Sequence, residues 1–201
     1  KALFFTSGGN GVPVNSIVAG TSNGVWRSAD NGNTWTEFED AAYNIYLAGK
    51  EVRSFTESGY YLFAATNSGI FRYSTNWWQN VGGNDIYNLT AIGQNIFSAG
   101  DWGTTCNRYD MSLGAWKNLG IGNRAVLATP PPLGGTYGLI SGGITGAFGA
   151  GDGFTGDCVS FNMSDPYGLA GVPVLSLTFD LDSRILAGTN NGVYRDNAGA
   201  W

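Results

Sequence analysis

Short apolar runs separated by polar, glycine-bearing turns recur along this chain with nearly the same spelling. The stretch Ser16–Arg27 returns, lightly edited, at Tyr61–Arg72 and again at Arg184–Arg195. Each copy runs through apolar and small residues to a threonine, two polar residues and a glycine, then through a second apolar run to an arginine. The turns Ser22-Asn23-Gly24, Asn67-Ser68-Gly69 and Asn190-Asn191-Gly192 carry residues that tolerate positive φ, as a tight hairpin demands. No 3.6-residue periodicity is present, so the apolar runs predict strands. In the last copy, Val174–Phe179, Arg184–Gly188 and Val193–Arg195 read as successive strands. Leu181-Asp182-Ser183 and Asn197-Ala198-Gly199 read as the turns beside them.

Evenly spaced short strands predict an all-β sandwich, barrel or propeller. The repeat selects the propeller, in which each unit is one four-stranded blade packed on its neighbours. Five units are predicted, over residues 2–38, 46–81, 86–119, 124–168 and 172–201. The third keeps Ile96–Gly100 and Asn107-Arg108-Tyr109. The fourth is degenerate and keeps Tyr137–Gly142 and Cys158–Phe161. Dividing 201 residues by five gives about 40 per unit, the size of a blade. The expected fold is therefore a single five-bladed β-propeller domain over residues 1–201.

The first unit continues through Ser28, Asp30, Gly32, Thr34 and Trp35, spaced S-x-D-x-G-x-T-W. This resembles the Asp-box of the BNR repeat found in sialidase-like and sortilin-like propellers. The resemblance implies a hairpin between the third and fourth strands of a blade. In that hairpin the Asp side chain binds turn amides, Gly takes positive φ and Trp packs between blades. Those roles agree with ordinary turn chemistry. Partial copies stand at Ser74-Thr75-Asn76-Trp77, Gly114-Ala115-Trp116 and Gly199-Ala200-Trp201.

The spelling also suggests how the ring closes. Gly199-Ala200-Trp201 followed by Lys1-Ala2-Leu3 would reproduce the internal Gly114–Leu119 stretch with one change. The first residues would then complete the last blade, within one chain or head to tail in the next molecule. The competing expectation is that Ala2–Ser7 forms the innermost strand of the first blade.

Composition narrows the chemistry. Apolar residues make up 43% and charged residues only 12%, with 32 Gly and 7 Trp, as suits aromatic-rich strands joined by many tight turns. A formal net charge of −5 argues against a nucleic-acid surface, which needs clustered cations. No apolar run reaches the length of a membrane span, and no membrane insertion is expected. Lys1 reads as a processed N-terminus, and the low charge with abundant Asn, Gly, Ser and Thr points to an extracellular or cell-surface protein. The chain contains no histidine, which excludes Ser-His-Asp and Cys-His catalysis.

Arg27, Arg72, Arg108 and Arg195 stand at equivalent places in four units, so packing along blade edges is preferred to a convergent carboxylate clamp. Cys106 and Cys158 occupy the place of Val25, Ile70 and Val193. They read either as small buried hydrophobes or as a disulfide between neighbouring blades. The aspartates of the later units, with loops such as Gly151-Asp152-Gly153, leave calcium binding or glycoside hydrolysis open. Turn chemistry is the preferred account. A sialidase-like site would also need a Tyr–Glu pair, yet the glutamates Glu37, Glu39, Glu51 and Glu57 all fall in the first two units.

Trp26, Trp35, Trp116 and Trp201 follow the repeat and are predicted core. Trp77, Trp78 and Trp102 do not, and with Asp101 and Tyr87 they form the candidate ligand or partner surface. One of the adjacent Trp77 and Trp78 is expected to face solvent. Asn88 and Asn162 head glycosylation sequons. The expected role is a non-catalytic structural or interaction module without cofactor, self-associating head to tail into a filament or surface layer. A carbohydrate-binding lectin is the alternative, and a glycosidase-like enzyme is less favoured.

Overall fold

The computed structural model describes residues 2–9, 11–38, 47–100, 107–118, 125–129, 138–143, 146–150, 171–180 and 184–195. Among these residues every regular element is a β-strand. The first sheet runs β1 (Ala2–Phe5), β2 (Ile17–Thr21), β3 (Gly24–Ser28) and β4 (Thr36–Glu37) in spatial order. The second is β5 (Val52–Ser58), β6 (Tyr61–Thr66), β7 (Gly69–Ser74) and β8 (Trp77–Gly82). The third is β9 (Ile86–Ile92), β10 (Asn95–Gly100), β11 (Asn107–Asp110) and β12 (Ala115–Asn118). The fourth holds β13 (Ala125–Thr129), β14 (Gly138–Gly143) and β15 (Gly146–Ala150), and the fifth β16 (Val174–Phe179), β17 (Ile185–Thr189) and β18 (Gly192–Arg195).

Each sheet is an antiparallel meander. The first strands of successive sheets lie side by side: β1 by β5, β5 by β9, β9 by β13, and β13 by β16. That is the radial order of a β-propeller, with the first strand of each sheet innermost. The expectation of five equal four-stranded blades is corrected. Among the described residues three sheets have four strands and two have three, and β4 is only two residues long. Ala2–Phe5 pairs with Ile17–Thr21, so these residues serve as the inner strand of the first sheet. Gly199–Trp201, the other half of the closure expectation, lies outside the described residues.

The repeated hairpin has one chemistry in three places. The Thr66 hydroxyl accepts the Ser68 N–H at 3.0 Å and donates to the Gly69 carbonyl at 2.8 Å. Thr21 does the same with Asn23 and Gly24, and Thr189 with Asn191 and Gly192. The glycines take φ of 96°, 117° and 122° at positions 24, 69 and 192, where a β-carbon would be strained. A conserved spelling at these positions thus needs only backbone geometry to explain it.

Alternation gives every sheet two faces. The leading face looks toward the next sheet and the trailing face toward the preceding one. Leu62, Ala64, Phe71, Tyr73 and Trp78 form the trailing face of the second sheet and share one core cluster with Val18, Val25 and Phe38 of the first. Phe63, Ala65 and Ile70 form its leading face and pack with Leu89, Ile96 and Tyr109 of the third. Each large aliphatic or phenylalanine side chain among them, fully buried, contributes about 1.5–3 kcal/mol. Gly20 lets the first junction close: a β-carbon there would stand 2.8 Å from Val52 Cγ1 and 2.9 Å from the Val52 carbonyl oxygen.

Thr66 is fully buried whereas the Thr189 bonds are exposed. Thr66→Val should therefore cost about 1–2 kcal/mol by urea unfolding, by orphaning the buried Gly69 carbonyl and the part-buried Ser68 amide. Thr189→Val should cost less than half of that.

Candidate functional site

Pairing across the third and fourth strands aligns the outer tryptophans. Arg27 faces Thr36, Arg72 faces Gln79 and Arg108 faces Lys117, so Trp35, Trp78 and Trp116 are equivalent. The Trp78 indole N–H donates to the Phe38 carbonyl of the preceding sheet at 3.0 Å. The Trp116 indole N–H donates to the Val81 carbonyl at 2.5 Å, and Phe38 and Val81 hold the same place in their sheets. Each indole also packs on a cross-strand tyrosine, Tyr73 at 5.1 Å and Tyr109 at 4.9 Å between ring centroids. A tryptophan staple thus joins each of these sheets to the one before it.

Trp35 has the same position and a different fate. It is 36% exposed, and its indole N–H donates to Gly32 of its own hairpin at 3.1 Å. The expectation that Trp35 packs between blades is corrected, because among the described residues no neighbouring sheet covers this side of the first one. The whole trailing face of the first sheet shares the condition. Leu3 and Phe5 are 71% and 74% exposed, whereas Phe55, the counterpart of Leu3 in the second sheet, is 7% exposed. Ile17, Ala19 and Trp26 on the same face are half-buried. A cavity of about 440 Å³ opens at the inner end, lined by Ala2, Leu3, Ala19, Gly20, Thr21 and Ser22. This open apolar face is the candidate functional site.

Beside it the β3–β4 hairpin is rigidly hydrogen-bonded. The Asp30 carboxylate accepts the Thr34 hydroxyl at 2.6 Å, the Thr34 N–H at 2.8 Å and the Ser28 hydroxyl at 2.7 Å. The Gly32 N–H donates to the Ser28 hydroxyl oxygen at 2.8 Å, and Asn31 and Gly32 take positive φ. The side-chain bond from Thr34, followed by its backbone bond and the Ser28 bond, holds the Asp30 pKa down at about 2. Asp110 repeats the device in the third sheet, where the Ser112 hydroxyl donates to it at 2.6 Å and its pKa is likewise lowered.

The remaining expected site residues do not converge. Trp77 is 37% exposed but Trp78 only 3%, so Trp78 is corrected from ligand surface to inter-sheet core. Tyr87 is also withdrawn as a free stacking platform, because the Arg53 guanidinium lies 4.5 Å from its ring centroid. That guanidinium is held by Glu51 at 2.9 Å and Asp85 at 2.5 Å. The repeat arginines act locally: Arg27 lies over Phe38, Arg72 lies over Tyr61 and bonds Gln79, and Arg195 pairs with Asp180. Asn88 sits half-buried in the inner strand β9. Asp101, Trp102, Cys106, Cys158 and Asn162 lie outside the described residues. Among the described residues no group of three or more His, Cys, Asp or Glu could hold a metal, and no helix is long and apolar enough to cross a membrane. Leu3 and Phe5 were not singled out from sequence. The signal was available in their alternation with Phe4, which packs into the core.

No protein-family model matches the chain, and no curated protein matches it. Solved structures do. The extracellular domain of BT3049 from B. thetaiotaomicron superposes with a TM-score of 0.69 at 14% identity, over 96% of this chain and 27% of that one. The extracellular domain of BT4673 from the same organism gives 0.64 at 13%, over 90% and 26%. A chain of a nidogen/laminin complex gives 0.62 at 14%, over 90% and 73%. This chain thus spans about a quarter of the two bacterial domains. At such identities the likeness establishes the β-propeller fold.

Two measurements check the site. Trp78→Ala should lower stability by about 3–5 kcal/mol, whereas Trp35→Ala should change it by less than about 1 kcal/mol, both by denaturant unfolding. An NMR titration should place the Asp30 midpoint at about 2, against 3.8 for an ordinary Asp. Its stabilisation of the hairpin is then complete above the unfolded value and is lost as pH falls through about 2. Asp30→Asn should abolish that acid dependence.

Proposed function

We propose that the chain is an extracellular, non-catalytic propeller module that binds another protein through the open face of the first sheet. The carrying observation is a contrast between equivalent positions: Phe55 and Trp78 are buried in the second sheet, while Leu3 and Trp35 are exposed in the first. An apolar face of this kind, rimmed by polar turns, suits a protein contact. On this reading the five sheets are five blades and the Ser28–Trp35 hairpin belongs to the Asp-box class. The outside of the cell is supported by composition and by likeness to extracellular propellers. A protein partner is in keeping with the nidogen/laminin likeness.

The arrangement of the carboxylates supports a non-catalytic role without cofactor. Asp30 and Asp110 are committed to turns, Glu51 and Asp85 to Arg53, and Asp180 to Arg195. Both oxygens of Glu57 accept the Ser7 N–H, at 3.1 and 3.0 Å. Of its described aromatics the lectin alternative retains Trp77 and Tyr60, 37% and 75% exposed.

The apolar dye ANS reports on the open face. Wild-type protein should bind it, and Leu3→Asp/Phe5→Asp should lose most of that binding with its melting temperature held within a few degrees. Glycan arrays and aryl glycosides should give no signal. Dye binding that persists in the double variant, or turnover of an aryl glycoside, overturns the reading.

A further inference from the structure

Among the described residues no sheet packs on the trailing side of the first sheet, and the fifth sheet displays the kind of face that such a neighbour would offer. Val174 and Ala187 are buried on the side of the fifth sheet that carries Leu177 and Tyr194, and β16 lies beside β13 and β14 of the fourth sheet. That is its trailing face. The register β16–β17–β18 puts Thr178, Leu186, Ser176, Gly188 and Val193 on the opposite, leading face.

Three of these residues have counterparts in the junction between the first and second sheets. Leu186, Gly188 and Val193 correspond to Val18, Gly20 and Val25. Val25 is 1% exposed and its second-sheet counterpart Ile70 is 0% exposed, yet Val193 is 73% exposed. Gly188 occupies the place of Gly20, where the next sheet's Val52 approaches too closely for a β-carbon. The chain therefore presents two unlike, mutually matching faces, each with an exposed position whose counterpart is buried elsewhere in the same molecule. Burial of such faces against each other repeats a joint that the protein already makes.

We infer that the open face of the first sheet receives the leading face of the fifth sheet of a second copy of this chain. This rests on the open-face reading above and names its partner. Because the two faces differ, the contact is heterologous, and each added copy leaves one face of each kind exposed. Growth is linear and head to tail. Trp35, 36% exposed and hydrogen-bonded only within its own hairpin, lies on the face that the joint covers.

Variants that blunt one face at a time test the contact. Val193→Asp removes the fifth-sheet face, and Leu3→Asp/Phe5→Asp removes the first-sheet face. The substituted side chains are exposed, so both variants should fold, as judged by melting temperature. Should the double variant not fold, Trp35→Glu replaces it. In sedimentation velocity, wild-type protein should form concentration-dependent species larger than a dimer. Each variant alone should stay monomeric, and a one-to-one mixture should form a dimer, at twice the monomer mass, and nothing larger.

A mixture that stays monomeric while wild type associates overturns the inference, because the contact then uses other surfaces. Wild type that stays monomeric at all concentrations and binds ANS also overturns it, leaving an open face for a different protein. Wild type that stays monomeric and binds no dye removes both the partner and the open face.

Discussion

A sheet of this protein has two apolar faces and no means of covering either one itself. Everything else follows from that constraint. The second sheet meets it fully, with Leu62, Ala64 and Phe71 against the first sheet and Phe63, Ala65 and Ile70 against the third. Its side chains fill both clusters because each neighbour supplies the complementary face. Among the described residues the first sheet is packed on one side only, and Leu3 and Phe5 stand exposed on the other, as Val193 does on the fifth; function is sought at these uncovered faces.

Polar chemistry in the described residues works mainly at the turns and between sheets. Threonine hydroxyls close the second hairpin loops, carboxylates close the third, and Glu57 ties the loop after β1 to the second sheet. Arg53 bridges the entries of the second and third sheets, with Glu51 and Asp85 on its edges and Tyr87 on its face. A chain with only 12% charged residues spends these groups on fixing geometry. Of the aspartates that look suggestive in sequence, Asp110 holds a turn and Asp180 pairs with Arg195.

The architecture was legible because the repeat writes hairpin turns and apolar alternation in plain sequence. Gly24, Gly69 and Gly192 marked the turns, and all three carry positive φ. The capture of a turn amide by Asp30, implied by the Asp-box resemblance, is present as well, whereas the bonds from the Ser28 and Thr34 hydroxyls were not anticipated. Burial of the tryptophans did not. Trp35 and Trp78 hold the same register position, and only the presence of a preceding sheet separates an exposed ring from a buried one. Sequence reports which face a residue occupies, whereas the number of neighbours is set by how the sheets assemble. For the same reason Tyr87 could not be read: its occupancy by Arg53 arises from a contact between separate sheets.

The indole staple divides its demands unevenly. On one side it requires a particular ring, since Trp78 and Trp116 must reach back and donate. On the other it requires only a main-chain oxygen, which any residue supplies, and Phe38 and Val81 serve equally. Successive units can therefore drift in the acceptor strand without loosening the joint, whereas a unit that loses the tryptophan, as the fourth has, loses this joint with it. A lineage of such units would age asymmetrically, with one margin free to vary and the other constrained wherever the staple is kept.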